Sequence, residues 1–212
     1  RQRQMCIRDR LLHRKAVGGH QGLRVGKHHN WIDMSAKVIY LAGVPASGKS
    51  TLFKIIREHL FGEAKEFKYG KCKGIENGAF KMLGVFDGTT FEGTDKLSMT
   101  VIDDAIEFVK QQMDSEQKSV VFVEGDRLFN IRFLKETKAL LLLIDANERI
   151  LKARHIERGD NQTETFLKSR RSKVENFISK YKAQRIWNNT LQDQERILNF
   201  IIKTANEYVE NV

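Results

Sequence analysis

The sequence predicts an α/β fold in which a parallel sheet carries helices on both faces. Three observations point to it. Strand-like apolar runs alternate with helix-like segments from residue 37 onward. One of them, 139–144, is an unbroken Leu-rich run that suits a central parallel strand buried on both sides. The first strand, 37–42, runs directly into Gly43-Val44-Pro45-Ala46-Ser47-Gly48-Lys49-Ser50, and a helix leaves that loop.

The elements follow in order. Residues 49–60 are predicted as the helix after the glycine loop, and 61–78, rich in Gly and Lys, as an irregular region. A strand is expected over 79–86. A helix is expected over 98–113, with Val101, Ile102, Ala105, Ile106, Val109 and Met113 as its apolar stripe. Residues 119–123 and 139–144 read as buried strands, 147–157 and 165–181 as helices, 184–188 as a short last strand and 191–209 as an amphipathic closing helix. Right-handed crossovers are expected.

The length of 212 residues suits one domain, and the hydrophobic share of 41% is ordinary for a globular chain. No apolar run approaches a membrane span, so no membrane partner is expected. Cys6 and Cys72 form no metal-like pair and fit a reducing, cytoplasmic setting. The formal net charge is +10, but residues 1–33 hold eight Lys/Arg against two acids, which leaves +4 for the rest. The leader also carries His13, His20, His28 and His29 and lacks the apolar core of a secretory signal. Its opening Arg1-Gln2-Arg3-Gln4-Met5-Cys6-Ile7-Arg8-Asp9 resembles translated adapter sequence. We read 1–33 as a spurious or disordered leader with a native start at Met34, and 34–212 as the domain. The alternative is a basic arm that binds nucleic acid.

The glycine loop fits G-x-x-x-x-G-K-[ST], the phosphate-cradling P-loop. Its glycines let backbone N–H groups close around phosphate oxygens, and the helix N-terminus adds positive potential. Gly43, Ala46, Ser47, Gly48, Lys49, Ser50 and Thr51 are the expected nucleotide-binding set. Pro45 has no N–H, so Ala46 to Ser50 must supply the donors. Lys49 would reach the β- and γ-phosphates and Ser50 would hold Mg²⁺. ATP and Mg²⁺ are therefore the expected cofactors. The base-reading N-K-x-D and the transporter signature L-S-G-G-Q are both absent, which favours a kinase.

Four further segments bear on phosphoryl transfer. In Val120-Val121-Phe122-Val123-Glu124-Gly125-Asp126-Arg127, an apolar strand ends in an acid beside the P-loop, so Glu124 is the candidate Mg²⁺-organising carboxylate. Asp126 is a weaker candidate and reads equally as a helix cap. The segment Asp87 to Met99 suits an acceptor loop. Asp95 is the first choice for the carboxylate that takes the acceptor proton and Asp87 the second, with an N-cap as the alternative for Asp95. Arg154 and Arg158 are four apart and share a helix face, and Arg170 and Arg171 follow the Gly159-Asp160-Asn161 break. Such a helix–loop–helix resembles the lid of small P-loop kinases, whose arginines neutralise the transferring phosphoryl group. Alternatively these arginines form a solvated basic face. The turn Arg185-Ile186-Trp187-Asn188-Asn189-Thr190 is expected near the adenine, with Trp187 read as core packing and a base-stacking group as the alternative. His59 and His155 have no partner in sequence and carry no role.

Taken together, residues 34–212 resemble small P-loop nucleotide and nucleoside kinases, and more narrowly the phage 5-hydroxymethyluridine DNA kinases of thymidine hypermodification. The resemblance rests on Gly43 through Thr51, on Gly93-Thr94-Asp95-Lys96-Leu97-Ser98-Met99, on Glu124-Gly125-Asp126-Arg127-Leu128, and on Arg154, Arg158 and Arg170-Arg171-Ser172-Lys173. It implies a P-loop NTPase fold of the kinase type with a helical lid, and adds Arg127 to the catalytic set of Lys49, Asp95, Asp87, Arg154 and Arg158. It implies transfer of the ATP γ-phosphate to the 5-hydroxymethyl group of 5-hydroxymethyluracil in double-stranded phage DNA, in the host cytoplasm. Lys65, Lys68, Lys71 and Lys73 would then meet backbone phosphates. The alternatives are a kinase for a free nucleoside, nucleotide or other small molecule, or an ATP-binding module without transfer.

Overall fold

A computed structural model describes residues 34–89, 92–160, 162–181, 183 and 185–210. The leader, and with it the expected basic arm, lies outside the described residues.

The chain builds a seven-stranded sheet in the order β2-β3-β4-β5-β1-β6-β7. The strands are β1 (Ala36–Gly43), β2 (Lys65–Tyr69), β3 (Cys72–Asn77), β4 (Phe80–Leu83), β5 (Ser119–Glu124), β6 (Leu140–Asp145) and β7 (Arg185–Trp187). The helices are α1 (Lys49–Leu60), α2 (Ile102–Met113), α3 (Ile131–Glu136), α4 (Glu148–Arg158), α5 (Glu164–Tyr181) and α6 (Leu191–Glu210). From β4 to β7 all neighbours are parallel. The expected α/β architecture is the one observed.

β1 lies at the centre, between β5 and β6. Its alternate side chains feed two cores. Val38, Tyr40 and Ala42 pack with Ala105, Val109 and Phe133 on the α2/α3 side, joined by Val174 and Phe177 of α5. Ile39 and Leu41 pack with Leu52 and Ile56 of α1 and Ile197 and Ile201 of α6 on the other. Strands buried on both faces need helices on both, and these two cores supply them.

The expectation of an irregular region over 61–78 is corrected. These residues form the antiparallel hairpin β2–β3, and β3 continues antiparallel to β4. The hairpin is secured by Phe67 stacked on Phe108 of α2 at 4.7 Å, with Tyr69 on the same ring at 5.9 Å. The strand expected over 79–86 is shorter, and Val85 instead bridges Gly93. The helix expected from residue 98 begins at Ile102. No helix among the described residues is long and apolar enough to cross a membrane.

Candidate active site

The site is built where β1 and β5 end. Gly43 closes β1 at φ 145°, so near to β6 that a Cβ would stand 1.9 Å from the Ile144 carbonyl oxygen. Only glycine fits there. Ala46 takes φ 59° and Gly48 φ 94°, a turn that coils the loop back over itself before α1 begins. Gly48 caps α1 without a side-chain bond, and the first turn of α1 carries no acid, so its leading amides stay available. Lys49 folds inward and donates from Nζ to Val44 O at 2.7 Å and to Ser47 Oγ at 3.4 Å. Burial lowers its pKa, while Glu124 and Asp126 act in the opposite sense. Ser50 and Thr51 face solvent.

β5 delivers Glu124 to this loop. The residue is only 5% exposed, and its Oε2 lies 3.4 Å from Ser50 Oγ. Burial pushes its carboxyl up to about 7, against the pull of Lys49. The next residue, Gly125, sits at φ 92°, where a Cβ would meet Thr94 Oγ1 at 2.8 Å and Asp95 Oδ1 at 3.4 Å. That close approach brings the segment of Thr94 and Asp95 to the end of β5. Thr94 Oγ1 donates to Glu124 O, Tyr40 OH donates to Gly125 O at 3.1 Å, and Asp126 N donates to Asp95 Oδ1 at 3.5 Å. Asp95 sits exposed on a 3-10 turn, Thr94–Lys96. Arg127 Nη2 donates to the Asp95 carbonyl at 2.9 Å. Asp87 is elsewhere on the loop. Lys96 Nζ reaches its two oxygens at 2.7 and 2.6 Å, and this bond with the Thr89 hydroxyl lowers its pKa to about 2.

Neither acid is a helix cap. α2 starts at Ile102 behind Val101, and the side chain of Asn130 caps α3. Asp126 instead pairs with Arg170 and with Lys173 Nζ at 2.9 Å, both from α5. The second half of α5 is fixed by Val174 and Phe177, the latter stacked on Phe129 at 4.2 Å. α4 meets the core lightly, with Leu151 its one buried side chain and Ile150 half-buried against the same cluster. Arg154 Nη1 donates to Ala46 O at 3.3 Å and Nη2 to Asn188 O at 2.9 Å. Arg158 has no hydrogen bond or ion pair among the described residues, yet its charge is felt by both Lys49 and Glu124. Arg171 points to solvent.

A family model described as P-loop Nucleotide Kinase3 matches residues 34–192, most of the chain. The chain belongs to that family. Among solved structures, this kinase is similar to a sugar kinase from Janibacter sp. HTCC2649, unliganded, at 13% identity and TM-score 0.45. It is also similar to a gluconokinase from Sinorhizobium meliloti 1021, at 13% identity and TM-score 0.42. Each likeness covers 82% of this chain and 95% of the other. No curated protein matches.

The structure therefore gathers Lys49, Ser50, Glu124, Asp95 and the Arg127 backbone contact into one cluster, with Arg154 and Arg158 above it. Asp87 is tied to Lys96 at the far end of the loop. Two expectations are corrected. Trp187 is 41% exposed, with the Arg185 guanidinium 5.3 Å from its ring centre, while Ile186 supplies the core contact. His155 does have a partner, Asp160, at 2.7 Å from Nδ1. Among the described residues no three His, Cys, Asp or Glu side chains form a metal cage. What stands there is the Ser50 hydroxyl beside the Glu124 carboxylate, oxygen donors of the kind that could hold Mg²⁺ together with phosphate and water. The residue that sequence reasoning passed over is Asn188. It is buried, and its Nδ2 donates to Ser47 O at 2.8 Å. Its only sequence signal is a polar turn after the last strand.

Proposed function

We propose that this kinase transfers the γ-phosphate of ATP to a hydroxyl of a small nucleoside or nucleotide acceptor. One observation carries the reading: Glu124 meets Ser50 at 3.4 Å while Asp95 approaches the same strand end across Gly125. A phosphate-type loop, a hydroxyl–carboxylate pair suited to a cation and an exposed carboxylate would then serve one reaction, and transfer needs positioning and charge neutralisation more than covalent help. The loop amides and Lys49 would take the phosphates, Lys49 leaving Val44 O to do so. Ser50 and Glu124 would hold Mg²⁺, which when bound offsets charge on the phosphate oxygens. Asp95 would accept the proton of the attacking hydroxyl, steadied by Arg127 on its carbonyl. Arg158 would face the transferring group.

The family description favours a nucleotide-sized acceptor. A second reading, 5-hydroxymethyluracil within DNA, is favoured by one feature. Lys68 and Lys73 stand directly opposite each other on the exposed hairpin, a like-charge pair that an anionic partner would relieve. Lys65 lies opposite Glu76 and Lys71 bonds Thr100, so they add less. The test offers γ-labelled ATP and Mg²⁺ with free nucleosides, nucleoside monophosphates, a hexose, 5-hydroxymethyluracil DNA and thymine DNA. Label on a free nucleoside or monophosphate supports the first reading. Label on the modified DNA alone replaces it with the second. ATP binding with no label on any acceptor would leave a binding module.

A further inference from the structure

The phosphate loop is held from outside. Its amides can turn toward an anion only if its carbonyls point away. Three of those carbonyls each have a side-chain donor: Val44 O from Lys49 Nζ, Ala46 O from Arg154 Nη1 and Ser47 O from Asn188 Nδ2. The last two donors are joined to each other, because Arg154 Nη2 donates to Asn188 O at 2.9 Å. Asn188 in turn hangs from the sheet, its N–H donating to Asp145 O at 2.8 Å. It packs so closely on the loop that a Cβ at Gly48 would stand 2.4 Å from its Nδ2. Its Oδ1 is buried with no hydrogen-bond partner among the described residues. Turning the amide over would set that oxygen against Ser47 O. The fold leaves a buried acceptor unpaired and keeps the donor on the loop.

We infer that Arg154 and Asn188 work as one brace on the P-loop, positioning residues rather than phosphate ligands, and that of the two arginines of α4 it is Arg158 that is left to join Lys49 in neutralising the transferring phosphoryl group. The inference rests on the P-loop kinase reading. Each Nη atom of Arg154 already donates to a carbonyl, which fixes the guanidinium on the loop, whereas Arg158, one turn on, has none of its donors engaged among the described residues. The brace also grips where the backbone most needs it, at the carbonyl of Ala46, a non-glycine residue at φ 59°.

The test measures binding of a fluorescent ADP analogue and the rate of ATP hydrolysis to water, so that no acceptor identity is needed. Arg154→Lys and Asn188→Ser should each weaken ADP about ten- to a hundredfold. The double variant should be little worse than either, because the two residues act as a unit. Arg158→Lys should keep ADP affinity and lose turnover. Adding Ala46→Gly to Arg154→Lys should recover part of the ADP affinity, since glycine holds that turn unaided; a missing phosphate ligand would not be replaced this way. Wild-type ADP affinity in Arg154→Lys with turnover lost overturns the brace, and so do additive losses in the double variant. If the wild-type chain binds no ADP, the P-loop reading fails and the brace fails with it. If it binds and every variant binds equally, only the brace fails.

Discussion

Glu124 is buried at the end of β5 with a carboxyl raised from the ordinary 4.5 to about 7, first by burial. The sign of its effect on stability follows. The folded protein holds this proton more tightly than the unfolded chain, so the contribution is full below about 4.5 and is lost as pH rises through about 7. In urea unfolding, Glu124→Gln should therefore match the wild-type unfolding free energy at about pH 5 and exceed it at about pH 8, by about 1–3 kcal/mol. An equal difference at both pH values would mean that the carboxyl is not raised. At the same scale, Lys49→Ala should abolish transfer. Asp95→Asn should keep ATP binding and lower turnover about 10²–10⁴-fold, measured once the acceptor assay is in hand. A wild-type rate in that variant removes Asp95 as the base. Asp87 would then be a poor successor while Lys96 holds its oxygens, because a carboxyl with a pKa near 2 takes protons weakly.

Among the elements, α5 has two unlike halves. Phe177, stacked on Phe129, fastens the second half to the sheet, and Phe177→Ala should cost about 3–5 kcal/mol in urea unfolding. A loss under about 1 kcal/mol would show that this half is not part of the core. The strands that carry this core were readable from sequence because their apolar runs are continuous, as in 119–123 and 139–144. The hairpin β2–β3 was not, because Lys65, Glu66, Lys68, Lys71 and Lys73 dominate it and only Phe67 and Tyr69 mark the alternation of a strand. In the site the same contrast holds. Lys49, Ser50 and Glu124 announce themselves by spacing from a strand end. The grip of Arg154 and Asn188 on the loop does not, because their partners are backbone carbonyls, which every residue type presents alike.

At the scale of the molecule, the sheet packs on α1, α2 and α6, and α4 and the first half of α5 are joined to that body largely by side-chain bonds. For α5 that tie is Asp126, which meets Arg170 and Lys173 at once. Asp126→Asn should raise amide hydrogen exchange over 164–172 about two- to tenfold and leave β1, β5 and β6 unchanged. Unchanged exchange over 164–172 would mean that packing, not charge, holds that segment. The sheet itself ends on one side in β2, five residues carrying Lys65, Glu66 and Lys68, and on the other in β7, only three residues long. Among the described residues, neither border offers a second molecule a long, uncharged row of backbone donors and acceptors. The consequence is colloidal: crowding the protein should not by itself drive these two edges to join rim to rim into fibres, and light scattering on a concentration series checks it.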